Sequence, residues 1–496
     1  MVLLRYLLSC IFFFLLYPLM AQEPAQPIRL ELPLEYEKTD ADLIALPDSS
    51  LLLYYKINTL WQTSATFNFT KYNTRLEPAW ADTVSIPPDS EFLRQYTEAP
   101  YTYFIFGEEN RQQYTIVRVN YVTGQLQHKR YKLDQIEAVY EFVVLEGNYF
   151  IIGHNTRERK PQLWHIHART GKTQQLPSIY GDQSTFSDLL ADPENGRVDA
   201  VLAESNGRIT RLQVKAFDAM GKLLDNRFIL QQESRNLLNA EVSPGDSTRK
   251  LLLGTYGTRD LQNVQGFFTA PLAAGLVDEE GAFYSMLQLK NFFKYLKPRQ
   301  EERLRRREGS RLKQGKKLGY RYRLLLHDLI VTPTGYVLAA EVYFPQYISN
   351  NNSFGIDRAI SMGRRQQEGY KRTHAVAIAF DAQGKLLWDN IFPLKGLVTA
   401  QLVHTIEVGW LPDGRVVMAY PDEEKIIYQV MDQGRYNEEE TETEVLTYAE
   451  SDKIQDTIAP GIIKWYGNHF AAFGFQRIKS KEDGFRTVFY INKISF

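Results

Sequence analysis

Cysteine is nearly missing from this 496-residue chain: Cys10 is the only one, and it lies in the N-terminal stretch. Once that stretch is removed no thiol remains, which excludes internal disulfides even in an oxidising compartment. Net charge is equally scarce, with 58 Lys and Arg against 59 Asp and Glu for a formal −1. The molecule as a whole therefore has no pull toward nucleic acid or anionic surfaces, and any such pull must be local. Long apolar runs are absent beyond the first residues, so no transmembrane span is expected in the remainder. Signature motifs are absent too. There is no Gly-x-Ser-x-Gly elbow, His-Glu-x-x-His helix, phosphate-binding glycine loop or Ser-x-Asp-x-Gly-x-x-Trp box. That leaves open only chemistry assembled from distant loops.

The first 21 residues have the plan of a secretory signal: Arg5, then a mostly apolar stretch from Tyr6 to Leu19, then Ala21 as the expected last residue before cleavage. The stretch is shorter than the roughly 20 residues a helix needs to span a bilayer. Leu7-Leu8-Ser9-Cys10 precedes the apolar core rather than following it, so it does not make a lipoprotein box. An exported chain without cysteine suits a bacterial periplasmic or secreted protein.

What the chain does have is strand formers and regularly spaced turns. The apolar share is 44%, with 30 Tyr and 28 Phe, the composition that strands favour. Turns occur at Leu46-Pro47-Asp48-Ser49, Glu98-Ala99-Pro100, Leu145-Glu146-Gly147-Asn148 and Pro193-Glu194-Asn195-Gly196. They continue at Pro244-Gly245-Asp246, Pro333-Thr334-Gly335, Pro412-Asp413-Gly414 and Tyr466-Gly467-Asn468. Each sits between two short apolar runs, the mark of a repeated antiparallel hairpin, and the period is about fifty residues. The two longer steps, Asp246 to Gly335 and Gly335 to Gly414, each hold one ordinary period plus an insertion. A period of this length suits one four-stranded blade of a β-propeller. The fold class is thus all-β, a propeller of eight blades, or seven if the weak turn at Pro100 is discounted, in one domain over residues 28–496. Two separate β domains are the competing arrangement, which the even spacing disfavours. Closure would pair Ile28 to Glu37 with the last strands, near Ile462–Trp465, Phe470–Phe475 and Thr487–Phe496, and so remove an open sheet edge.

A second turn recurs between these: Phe217-Asp218-Ala219-Met220-Gly221-Lys222-Leu223-Leu224 and Phe380-Asp381-Ala382-Gln383-Gly384-Lys385-Leu386-Leu387-Trp388, with shorter copies at Val122-Thr123-Gly124 and Arg169-Thr170-Gly171. It would join the two outer strands of a blade. These residues resemble the blade turn of PQQ-like β-propellers, Asp-x-x-Thr-Gly-Lys-x-x-Trp. Asp381 to Trp388 comes nearest, one residue shorter and without the Thr. The resemblance implies architecture and does not extend to quinone chemistry, since many propellers with such turns bind no cofactor; a quinoprotein dehydrogenase is the weakest of the functional readings.

Two insertions interrupt the repeat. In residues 283–323, Leu289, Phe292, Phe293 and Leu296 have helical spacing, and Pro298 interrupts or restarts the helix. A strongly basic stretch follows: Arg303, Arg305, Arg306, Arg307, Arg311, Lys313, Lys316 and Lys317. It could dock on an anionic surface such as lipid head groups or an acidic polysaccharide, or it could be a solvated helix. Residues 346–372, with Asn350, Asn351 and Asn352, read as a loop. The acidic run Glu438 to Glu444 would offset these charges or form a solvated blade edge.

The candidate site is positional. A carboxylate stands five to eight residues before the turn in six units: Asp42, Glu141, Asp188, Glu241, Asp328 and Glu407. The first strand of a blade lines a propeller's channel, so these acids could form a ring that holds Ca²⁺ or a cationic ligand. Alternatively each accepts backbone N–H bonds between blades. His165 and His167 make a poor metal pair, and packing is the expectation for them. No cofactor is expected. The function expected is an exported non-catalytic binding scaffold for an envelope protein, a peptide or a polysaccharide. The alternative is a glycan-active hydrolase or lyase using channel-mouth carboxylates.

Overall fold

The computed structural model describes residues 23–58, 63–108, 112–133, 136, 138–154, 161–177, 184–207, 209–229, 235–246, 249–258, 261–272, 281–316, 318–348, 366–438, 441–481 and 484–496. The signal segment, most of the expected loop at 346–372, Lys317 and the acids Glu439 and Glu440 lie outside the described residues, wholly or in part. The sheets among the described residues are eight, each antiparallel, and they form an eight-bladed propeller. The inner strands of blades 1 to 5 are Thr39–Ala45, Ser90–Glu98, Ala138–Leu145, Thr185–Asp192 and Asn236–Val242. Blade 6 opens with two short pieces, Arg323–Leu326 and Ile330–Thr332, blade 7 with Glu407–Trp410 and blade 8 with Lys453–Lys464.

Closure follows from alternation at the N-terminus. Ala25–Leu32 pairs antiparallel with Gly484–Ser495 as the outermost strand of blade 8, with Ile28 opposite Lys493 and Leu30 opposite Ile491. Ile28, Leu30 and Leu32 pack into the core between blades 8 and 1. Arg29 and Glu31 take the other face, as a period of two requires. The strand ends at Leu32, short of the expected Glu37, because Pro33 offers no N–H to continue the ladder. A short 3₁₀ turn, Tyr36–Lys38, then leads into blade 1.

The core is divided among the blades. Eight apolar clusters occur among the described residues, one between each pair of neighbouring blades, including the pair formed by the last and the first. The Trp465 indole of blade 8 also donates to the Ser49 carbonyl of the blade 1 turn at 2.9 Å. The outer turns with the Asp-x-x-Gly pattern do join the third and fourth strands, and they key one blade to the one before it. In blade 6, Asp381 Oδ1 accepts from the N–H groups of Gln383 and Lys385, and Gly384 sits at φ +80°. A Cβ there would stand 2.8 Å from Thr269 of blade 5, whose hydroxyl donates to the Gly384 carbonyl. Glycine is needed twice over, for the dihedral and for the close approach.

The expected helix at 289–296 does not form. Leu289, Phe292 and Phe293 are fully buried between blades 5 and 6, but on successive turns. The backbone groups that would make a helical ladder are engaged elsewhere. The Asp389 carboxylate accepts from the N–H groups of Lys290 and Asn291, both at 2.7 Å. The Arg305 guanidinium donates to the carbonyls of Leu287, Leu289 and Lys290. The helix of the insertion begins only at Pro298 and runs to Lys313, with proline in the first turn, where its missing N–H costs nothing. Farther on, Gly335–Ile348 and Gln366–Asp381 extend blade 6 into a long hairpin that reaches both flanks of the expected loop.

Candidate functional site

A β-bulge sets the geometry of the channel. In blades 2 to 5 the inner strand shifts register by one residue, between Phe92 and Arg94, Val139 and Glu141, Phe186 and Asp188, and Leu237 and Asn239. Bulges re-aim the next side chain and often flank binding sites. Arg94, Glu141, Asp188 and Asn239 are therefore equivalent, each five residues before its hairpin turn. Sequence reasoning found two of the four. It missed Arg94 and Asn239 because it looked for acids alone, and it took Glu241, two residues later on the same face of blade 5, for the repeat position.

The channel holds a cavity of about 1080 Å³, lined mainly by residues of the inner strands of blades 1 to 6, with His154 and Pro161 of blade 3, Asp328 and Leu329 of blade 6 and residues 402–404 leading into blade 7. Glu141, Asp188, Glu241 and Asp328 all line it. Asp42 and Glu407, placed by the sequence in the same ring, do not. Asp42 lies on the blade 1 inner strand, and its carboxylate accepts from the N–H of Leu43 at 2.8 Å and the Tyr54 hydroxyl at 3.0 Å. Glu407 accepts from the N–H of Lys464 in blade 8 at 2.8 Å. Asp188 combines both roles: it faces the cavity and accepts from the N–H of Val242 in blade 5 at 2.8 Å.

Burial and mutual repulsion push Glu141, Asp188 and Glu241 toward the protonated form. Burial pushes Glu141 up to about 7, with Asp328 adding to the push and Arg94 opposing it. Asp188 also rises to about 7 through burial, against its Val242 bond, with Asp328 and Glu141 contributing. Glu241 is pushed up by burial and then by the charges of Asp188, Asp328 and Glu141. Like charges in a shared site disfavour one another's ionised form. Among the lining residues Arg94 is the one Lys or Arg, and its guanidinium already donates to the Tyr140 and Leu93 carbonyls at 2.8 and 2.7 Å. Tyr140 stacks on His154 with ring centroids 5.6 Å apart and keeps 40% of its surface exposed.

One wall of the cavity is braced by a buried network that the sequence did not reveal. Glu341 of blade 6, fully buried, accepts from His327 Nε2 at 3.1 Å, Arg372 Nε at 2.5 Å, and the N–H and hydroxyl of Thr405, both at 2.7 Å. Burial alone would raise its pKa, but the bonds from His327 and Thr405 bring it down to about 2. His327 stacks on His404 at 4.1 Å, and His404 lines the cavity. The pairing of His327 with Glu341 spans 14 residues and bypasses its neighbour Asp328. His165 is a packing residue, buried against Phe150 and bonded to the Ala219 carbonyl.

On the helical insertion, Arg303, Arg306, Arg307, Arg311, Lys313 and Lys316 are exposed. Arg305 turns inward to Glu301 at 2.8 Å and to the three carbonyls named above. Glu442, of the acidic run, pairs with Lys425 at 2.6 Å on the outer edge of blade 7. Among the described residues no three His, Cys, Asp or Glu side chains group to hold a metal ion. Nor is any described helix long and apolar enough to cross a membrane.

No protein-family model matches the chain, and no curated protein does. Solved structures match by shape. The polysaccharide lyase Uly1 is 9% identical, over 81% of this chain and 89% of the lyase, with a TM-score of 0.39. A mutant apocarotenoid oxygenase of Synechocystis is 9% identical, over 48% of this chain and 61% of its own length, at 0.32. The β-propeller domain of the Trilobed protease from Pyrococcus furiosus, which has an open velcro topology, is 8% identical over 81% and 93%, at 0.27. Likenesses this remote say nothing about what this chain binds.

Proposed function

We propose that the protein is an exported, non-catalytic binding wheel of the bacterial envelope, and that its channel receives a cationic segment of a partner peptide or protein. One observation carries this reading: four carboxyl groups, Glu141, Asp188, Glu241 and Asp328, share one cavity with a single arginine. Three of them are driven toward the neutral form by burial and by each other. A bound cation relieves that repulsion, and low-dielectric walls focus the field that attracts it. Export rests on the N-terminal signal, and N-terminal sequencing of the mature protein, with Gln22 expected first, checks it.

The binding test is calorimetric titration with a Lys/Arg-rich peptide and its Glu-substituted counterpart, at pH 6 and pH 8. The basic peptide should bind, the acidic one should not, and affinity should rise about ten-fold at pH 8 as the acids with pKa about 7 ionise. Asp188→Asn should weaken it, and Ca²⁺ enters the same titration as a competitor. Binding that ignores both pH and Asp188→Asn would dispose of the reading.

A second reading is favoured by Glu141, whose carboxyl burial lifts to about 7, the range of a general acid. With Asp188 of the same cavity as the second carboxylate and the exposed Tyr140 beside them, it can serve as acid on a glycan. New reducing ends released from a polysaccharide panel, abolished in Asp188→Asn, would establish this alternative.

A further inference from the structure

The outer strand of blade 4, Leu223–Ile229, is an open sheet edge: it ends its sheet, and among the described residues no strand pairs with its far side. Such edges template pairing with another chain, and proteins guard them with charge, proline or short length. The other blades show these guards. Blade 2 ends in a strand with Lys129, Arg130 and Lys132, blade 8 carries Pro27, and the outer strands of blades 3, 5 and 7 have only three or four residues. On blade 6 the Asn291 amide donates to the Asp389 carbonyl at 2.7 Å, and the blade 1 edge opens with Pro78 and otherwise exposes only small or polar residues. Leu223–Ile229 is seven residues long and has neither proline nor lysine. It exposes Leu223, Leu224 and Phe228 at 40%, 52% and 41%. The irregularity in its pairing, a bulge at Leu224, lies at its start.

The strand is also complementary to itself. Laid antiparallel to a second copy about Asn226, it sets Asp225 against Arg227, Leu224 against Phe228 and Leu223 against Ile229, each twice across a twofold axis. Opposite charges and apolar pairs facing each other across a ladder both stabilise it. The central Asn226 N–H donates to a side chain, Asp225 Oδ1 at 2.9 Å, which a facing strand's carbonyl can replace. Within one chain Arg227 already bonds Asp225 Oδ2 at 2.6 Å and the Leu272 carbonyl, so pairing across the axis joins two ion pairs into one network. We propose that two copies of this chain associate edge to edge through Leu223–Ile229, joining two four-stranded sheets into one continuous sheet. The occupant is a second copy because the complementarity is internal to the strand. One strand edge buries less than the roughly 1,200 Å² of a standard stable interface, so the dimer is transient, with Kd in the micromolar range. The proposal stands independently of the channel reading.

The test is sedimentation of the full chain over a concentration series, with thermal melting as the control. The native protein should pass from monomer to dimer in the micromolar range. Leu224→Lys, at an exposed position, should raise Kd about ten-fold without lowering the melting temperature. Arg227→Asp and Asp225→Arg each set like charges face to face, so each should be monomeric alone, and an equal mixture of the two should restore the dimer. Should the charge variants melt early, Leu224→Lys alone decides. A native chain that stays monomeric throughout would leave the edge to another protein's strand and overturn the proposal. So would a dimer as tight in Leu224→Lys as in the native protein, or folded charge variants whose mixture stays monomeric.

Discussion

Replacing Glu141 with Gln tests the electrostatics of the channel most directly. Its carboxyl is moved by burial from the ordinary 4.5 to about 7, against the pull of Arg94. That displacement corresponds to about 3 kcal/mol against the ionised form. Because the cavity is wide enough for water, about 1–2 kcal/mol is the better expectation. The folded pKa lies above the unfolded one, so between them the folded chain keeps a proton that the unfolded chain has lost. Glu141's contribution is therefore fully present below about pH 4.5 and fades as pH rises through about 7. Gln cannot ionise. In urea unfolding, Glu141→Gln should match the native protein at pH 5 and exceed it by about 1–2 kcal/mol at pH 8. The same variant should weaken a basic peptide in the channel, trading binding for stability. A variant less stable than the native protein at pH 8 would mean that Glu141 makes a favourable ionised contact and that the crowding of acids is not what governs this cavity.

Two further substitutions probe other parts of the wheel. Glu341 has the opposite sign: its folded pKa of about 2 lies below the ordinary 4.5. Its stabilisation is present above about pH 4.5 and is lost as pH falls toward 2, so Glu341→Gln should cost about 3 kcal/mol at pH 7 and progressively less in acid, read by fluorescence-monitored unfolding across that range. Arg29, on the closing strand, donates to Glu31 at 2.7 Å, Gln476 at 2.8 Å, Asn492 at 2.9 Å and the Leu446 carbonyl at 3.0 Å, and lies over the Tyr490 ring. Arg29→Met strands these acceptors and should cost about 3 kcal/mol, the lower end for a broken buried pair, since Glu31 keeps Arg486. It should also promote aggregation by freeing the edge of Gly484–Ser495. A loss under about 1 kcal/mol would separate closure from this network.

What was legible in the sequence was whatever depends on local chemistry. Hairpin turns demand positive φ, so Gly147, Gly196 and Gly414 announce them. The closing strand shows as alternation from Ile28 to Leu32. What depends on meetings across the chain was hidden. Glu341 collects donors from residues 14 to 65 positions away, and no spacing rule connects His327, Arg372 and Thr405. The spacing of Leu289, Phe292 and Phe293 correctly marks a buried face. It could not show that Asp389 and Arg305 would claim the backbone groups a helix needs.

The acid ring shows the same division at finer scale. Counting from the turn gave the inner strand for five of the six acids, Asp328 lying in the gap between Arg323–Leu326 and Ile330–Thr332, but a bulge adds one residue, and equivalence survives only when the bulge is known. With it restored, blades 2 to 5 present Arg94, Glu141, Asp188 and Asn239 at one level, a cation, two acids and an amide. A purely structural support would repeat one residue type around the wheel. Asp188 does serve as such a support through Val242, and Arg94 through the Tyr140 carbonyl, yet both also face the cavity, as Glu141 does at the same level. Blade geometry fixes where these side chains point. Their identities vary from blade to blade, and that variation makes one side of an otherwise even channel acidic.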